Sequence, residues 1–251
     1  MSLEFSLSTI QQNTFQINIF GKNITLKFNE NSINWVKEYK PLEIEKSEKL
    51  REKYQNINSD IFLFIYYVYK FILPDFNLMG NIFPNHNEKY LELGAGIGIF
   101  AVILDHLLEG KIILNLVEVE VNMDHASKFN YGAKLDEKRK IAKIFPLKLL
   151  KEFLDLNNTK AKVFSPEEIK KSNLTSINYV FSSRSYCFLY DIEEYSSFLS
   201  KAMAADAKII CDVAKEHDHV NKFKKEFFYK KTLAENDYFA RIFAMKNFSI
   251  S

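Results

Sequence analysis

At 251 residues the chain is long enough for one large domain, or for a core with a small appendage. Its 34 basic and 32 acidic residues leave a formal charge of +2, which argues against a field-driven search for nucleic acid. Hydrophobic residues at 47% and charged residues at 26% exclude disorder and collagen-like architectures. The basic residues are mostly Lys; only Arg51, Arg139, Arg184 and Arg241 carry the guanidinium forks that base readers and phosphate grips favour. Two cysteines, Cys187 and Cys211, are too few for a disulfide framework, so a reducing, cytoplasmic compartment is expected. The start, MSLEFSLSTIQQN, lacks the basic-then-apolar order of a signal peptide.

Residues 14–29 alternate apolar and polar side chains around GKN, which predicts a β-hairpin. From residue 31 to about 76 the pattern turns helical, with Ser59-Asp60 as the start of an apolar run and Pro74 as its stop. That run, 61–73, has thirteen residues and includes Lys70, whereas a membrane span needs about 20. A buried helix is expected, and no span. Residues 1–81 thus read as a hairpin-and-helix cap, and 82–251 as a regular domain.

In the second part, YLELGAGIGIF reads as a strand entering a glycine turn, and the following helix stops at Gly110. KIILNLVEV is a second strand, followed by a helix over 122–131. A Lys-rich connection leads to a helix at PLKLLKEFLDL, then strands at 161–164 and 177–181. Residues 192–205 read as helix, 207–212 as a buried strand, and 220–228 as helix. The end reads as two strands joined at Asn236-Asp237. This alternation predicts an α/β fold: a doubly wound, Rossmann-like, mostly parallel sheet with a closing antiparallel hairpin.

Three of the seven glycines, Gly94, Gly96 and Gly98, fall within five residues. Glycine clusters this tightly where a backbone turns sharply and lets a ligand come close. A turn between strand and helix is also where free N–H groups and a helix dipole meet an anion. The dinucleotide spacing G-x-G-x-x-G fails, because position 99 is Ile99. Glu92, two residues before the first glycine, suits a cationic amino group better than a pyrophosphate.

The run L-E-L-G-A-G-I-G resembles the first motif of the class I S-adenosylmethionine-dependent methyltransferases, and the strand pattern from residue 89 onward is similar to theirs. The resemblance implies S-adenosyl-L-methionine as cofactor, with Gly94, Ala95, Gly96 and Gly98 cradling its methionine part and Glu92 holding its ammonium. A carboxylate about 20 residues past the turn should accept the ribose hydroxyls, and Glu118 lies there, beside Val119, with Glu120 as the alternative. Ser165 and Pro166 occupy the place where the family contacts adenine, although they also make an ordinary helix start.

After the fourth strand of this region comes Ser182-Ser183-Arg184-Ser185-Tyr186-Cys187-Phe188-Leu189-Tyr190, in place of the Asn-Pro-Pro-Tyr or Asp-Pro-Pro-Tyr of amino-directed nucleic-acid methyltransferases. The segment looks like that of sugar O-methyltransferases found with bacterial surface-polysaccharide enzymes, except that Leu189 stands where a His is expected. The resemblance implies a small sugar or nucleotide-linked sugar as acceptor rather than nucleic acid. Ser182 is then a cofactor neighbour, and Arg184 and Tyr186 are candidates for binding the acceptor. Removing a proton from an alcohol calls for a general base. His217 and His219 follow the next strand, beside Asp212, with Tyr190 as a further candidate. The alternatives are an RNA or protein acceptor, or a binding subunit that retains only the pocket.

Overall fold

The structure is a computed structural model that describes residues 13–39, 47–49, 51, 57–118, 146–183, 185, 187, 192–215 and 218–246. Strand β1 (Thr14–Ile19) pairs antiparallel with β2 (Lys22–Lys27). The turn is Phe20-Gly21, both at positive φ (51° and 78°), beginning one residue before the GKN run, whose Lys22 and Asn23 already belong to β2. A two-residue loop with both φ values positive matches the twist of the flanking strands. Phe15, Ile17, Ile19, Ile24 and Leu26 all point inward, as the alternation predicts.

Helix α1 (Glu30–Tyr39) follows. Helix α2 (Ser59–Tyr67) is capped by Asn58, one residue earlier than expected: its Oδ1 accepts from the N–H groups of Asp60 at 2.8 Å and Ile61 at 3.4 Å. Pro74 does not stop the run. A π-helical turn (Val68–Ile72) intervenes, and Pro74 falls in the first turn of α3 (Leu73–Met79). The missing N–H therefore lies at a helix start, where no intrahelical bond is lost. The stretch Ser59–Met79 is long and apolar enough to cross a membrane by length and composition, and half of it is buried within the protein.

Seven strands form the main sheet: β3 (Lys89–Leu93), β4 (Ile113–Val117), β5 (Ala161–Phe164), β6 (Ile177–Ser182), β7 (Met203–Ala214), β8 (Phe227–Glu235) and β9 (Phe239–Lys246). Their order is β5-β4-β3-β6-β7-β9-β8, parallel from β5 through β7, with β9 and β8 antiparallel. The order reverses between β3 and β6, which is where such sheets open a ligand crevice. The hairpin turn carries Asn236, whose Oδ1 accepts from the N–H groups of Tyr238 and Phe239.

Helices α4 (Ile99–Leu107), α5 (Pro146–Leu156), α6 (Pro166–Lys171), α7 (Glu193–Ala202) and α8 (His219–Glu226) connect these strands. Two boundaries differ from the sequence reading. Helix α7 ends at Ala202 because Met203 pairs with Ile177, so a helix-favouring Ala-rich stretch is drawn into β7. Helix α8 ends at Glu226 because Phe227 and Phe228 pair with Lys246 and Met245 of β9. The helix expected over 122–131 lies outside the described residues.

One apolar cluster fills one face of the sheet and runs from the hairpin and α1–α3 through α4 and α5 to Tyr90, Tyr179 and Phe181. Across it Phe76 stacks on Phe100 at 4.2 Å between centroids, and Phe100 on Phe181 at 4.4 Å. The hairpin is also tied by polar contacts. The Asn157 side chain exchanges hydrogen bonds with the Lys27 backbone at 2.8 and 3.1 Å, and Lys22 caps the end of α4 at the Leu107 carbonyl. A second cluster, built on Leu91, Val180, Leu199, Ile209 and Phe223, covers the opposite face.

Candidate cofactor seat and catalytic edge

The glycine turn leaves β3 at its C-terminal end. Gly94, Gly96 and Gly98 have φ of 80°, 57° and 83°, and Gly98 is the residue that caps α4. These values favour glycine. The N–H groups of Gly94 and Ala95 donate to the Val117 carbonyl at 2.9 and 3.1 Å, and that of Gly98 to Ala95 at 2.9 Å. The N–H of Gly96 donates to the Glu118 carboxylate. The turn therefore does not hold those donors out to an anion, as its position between strand and helix had suggested. It presents a carboxylate instead.

A second carboxylate precedes the turn on β3. Glu92 is 4% exposed, and its hydrogen bond comes from the Tyr90 hydroxyl at 3.4 Å. Burial pushes its pKa well above the usual carboxylate range; the Tyr90 bond opposes this, and the charges of Glu118 and Asp75 add to it. An ionised Glu92 would be stabilised by a cation placed between it and Glu118.

Each glycine is bare for a different reason. A Cβ on Gly94 would fall 2.2 Å from the Ser185 side chain, and one on Gly98 would fall 2.6 Å from Leu150 of α5. At Gly96 it would lie 3.3 Å from Cζ2 of Trp35. Ser182, buried at the end of β6, donates to the Leu93 carbonyl at 2.8 Å and so locks the strand ends at the switch point. Ser165 caps α6, its Oγ accepting from the Glu168 N–H at 3.2 Å while Glu168 takes the Ser165 N–H at 2.7 Å. Pro166 opens that helix, and the pair makes the helix start that the sequence also allowed.

Further along the edge, Asp212 is fully buried and paired with Arg241 of β9, Nε to Oδ1 at 2.6 Å and Nη2 to Oδ2 at 2.8 Å. Arg241 Nη1 also donates to Asp75 of α3. Ser183 accepts from Arg241 at 3.1 Å and donates to Asp212 at 3.3 Å. Burial alone would lower the Arg241 pKa; the hydrogen bonds and charges of Asp212 and Asp75 outweigh it and hold the group firmly charged. Asp212 is thus engaged by Arg241 and Ser183, and no hydrogen bond joins it to His219. His219 is 1% exposed at the start of α8, with Nδ1 3.3 Å from the Cys187 carbonyl. Val119, Arg184, Tyr186, Tyr190 and His217 lie outside the described residues.

The sequence reading passed over Trp35, Asp75, Ser183, Ser185 and Arg241. One signal was available: a rare Arg inside an apolar strand, DYFARIFAMKN, needs a buried acid partner. Which acid it meets is decided by the fold.

The strand order, reversing between β3 and β6, defines a doubly wound α/β architecture with a crevice at its switch point. No protein-family model and no curated protein matches the sequence. Among solved structures, the chain is similar to an S-adenosylmethionine-dependent methyltransferase from Aquifex aeolicus. The TM-score is 0.52 and the identity 12%, over 72% of this chain and 93% of that one. It is also similar to MtNAS in complex with MTA and tNA, with TM-score 0.50, 12% identity, and coverage of 85% and 73%. At such identities the likeness is one of fold.

Proposed function

We propose that the protein transfers a methyl group from S-adenosylmethionine to a small polar acceptor at the edge where β3, β4, β6 and β7 end. The observation that carries this reading is the pair Glu92 and Glu118 at a glycine turn in which the N–H groups of Gly94, Ala95, Gly96 and Gly98 are bonded within the chain. Such a seat suits an ammonium and a diol and is hostile to a pyrophosphate. The fold shared with the Aquifex methyltransferase supports it. When bound, the cofactor supplies an electrophilic methyl on a sulfonium centre.

In this reading Glu92 gives up its proton and holds the ammonium. Glu118 exchanges its bond from Gly96 for the ribose hydroxyls. Ser182 and the Arg241 network fix the ends of β6 and β7, so that most of the rate comes from positioning and from exclusion of water. The β1–β2 hairpin and α1–α3 shape the acceptor side. The acceptor is an oxygen of a sugar or nucleotide-linked sugar, a reading supported by the Ser182–Tyr190 sequence in place of Asn-Pro-Pro-Tyr. His217 is the first candidate for the base, because the His219 ring is buried and Asp212 is committed to Arg241.

Calorimetric titration with S-adenosylhomocysteine tests the seat, and the reading requires saturable binding. Transfer of labelled methyl to nucleotide sugars, run beside RNA and protein lysate, tests the acceptor. Labelling confined to RNA or protein overturns the small-acceptor reading, and absence of cofactor binding overturns the whole.

A further inference from the structure

Trp35 is the single tryptophan of the chain, and it belongs to α1, far from the glycine turn in sequence. It is 8% exposed, and Tyr67 meets it edge-on at 5.6 Å between centroids. The outer edge of its six-membered ring, Cζ2 and Cη2, lies 3.3 and 3.6 Å from where a Cβ on Gly96 would stand. The indole therefore packs directly on the bare backbone at the middle of the turn, where the acids Glu92 and Glu118 gather. Trp35 belongs to the apolar cluster on this face of the sheet, yet its six-membered ring reaches the turn to which Glu118 is bonded, and the face of an indole attracts cations more strongly than that of any other side chain.

We propose that Trp35 is a cofactor-contacting residue, the aromatic wall of the seat whose acidic side is formed by Glu92 and Glu118. This rests on the cofactor reading above and extends it to a residue of the N-terminal segment. Two carboxylates alone would accept any small cation. An aromatic wall adds preference for a ligand that joins positive charge to apolar surface, as S-adenosylmethionine does. Binding must then change the surroundings of the indole.

A single tryptophan makes the test direct. The full chain is titrated with S-adenosylhomocysteine while Trp35 emission is followed, and the same titration is run by calorimetry. The expected result is an emission change that saturates with the calorimetric dissociation constant. Trp35→Leu, checked for folding by circular dichroism, is expected to weaken S-adenosylmethionine binding about 5-fold to 30-fold, the range of a desolvated cation–π contact. If that variant does not fold, the wild-type emission decides alone. Calorimetric binding with unmoved Trp35 emission overturns this inference and leaves the cofactor reading intact. Absence of calorimetric binding removes the cofactor reading, and the wall with it.

Discussion

Two groups of acids lie along the same edge of the sheet, and the chain treats them in opposite ways. At β7 and β9, Asp212 and Asp75 grip Arg241 from two sides, and Ser183 closes the ring. At β3, Glu92 has one long bond from Tyr90 and faces the negative charges of Glu118 and Asp75. The first group is complete within the protein and ties α3 to two strands. In the second, burial and neighbouring negative charge favour a protonated Glu92, and in the proposed reading a cationic ligand takes the place of that proton. A fold can hold an uncompensated acid at a site where function needs it, at a cost in stability.

That contrast can be broken at either end. Gly96→Val has the largest expected effect: at φ 57° a branched side chain is strained, and it also meets Trp35. Binding of S-adenosylhomocysteine should vanish in calorimetry while circular dichroism still reports a folded chain; wild-type affinity would make the turn purely structural. Next comes Arg241→Met, which strands two buried carboxylates. It should cost about 3–5 kcal/mol in urea unfolding, the range for a broken buried ion pair. A loss typical of a surface pair would show that the network is open to water.

Glu118→Ala should weaken cofactor binding by about 1.5–3 kcal/mol, as for hydrogen bonds to a charged group. The smallest effect has the opposite sign. Because the folded-state pKa of Glu92 is raised, its proton stabilises the cofactor-free protein at low pH. That contribution is lost as pH rises from the ordinary carboxylate range through the folded value. Glu92→Gln should remove this slope and raise Tm near neutral pH, by about 2–4 °C for each kcal/mol of relief. A lower Tm at every pH would mean that the ionised Glu92 is already compensated in the unliganded chain.

Much of this was legible in the sequence, and what was not follows a pattern. Strands bounded by turn residues and a glycine cluster are local signals, so β3, the turn, Glu92 and Glu118 could be read from their spacing. The end of α7 could not, because Ala-rich residues that favour helix are claimed by pairing with β6. Pro74 misled because the π-helical turn before it moves the helix start to meet it. Arg241 meets Asp75 across 166 residues, and Trp35 meets Gly96 from another segment altogether. Such contacts are products of topology and leave no periodic trace.

The central claim is that Glu92 waits for a cation, and proton-linked calorimetry tests it most directly. S-adenosylhomocysteine is titrated into the wild type and Glu92→Gln, each in two buffers of different ionisation enthalpy. The wild type should bind and release a proton as Glu92 ionises against the ammonium, whereas Glu92→Gln should bind at least about tenfold more weakly, a loss of about 1.4 kcal/mol, and release none. Equal affinities with no proton released from either protein would contradict the account.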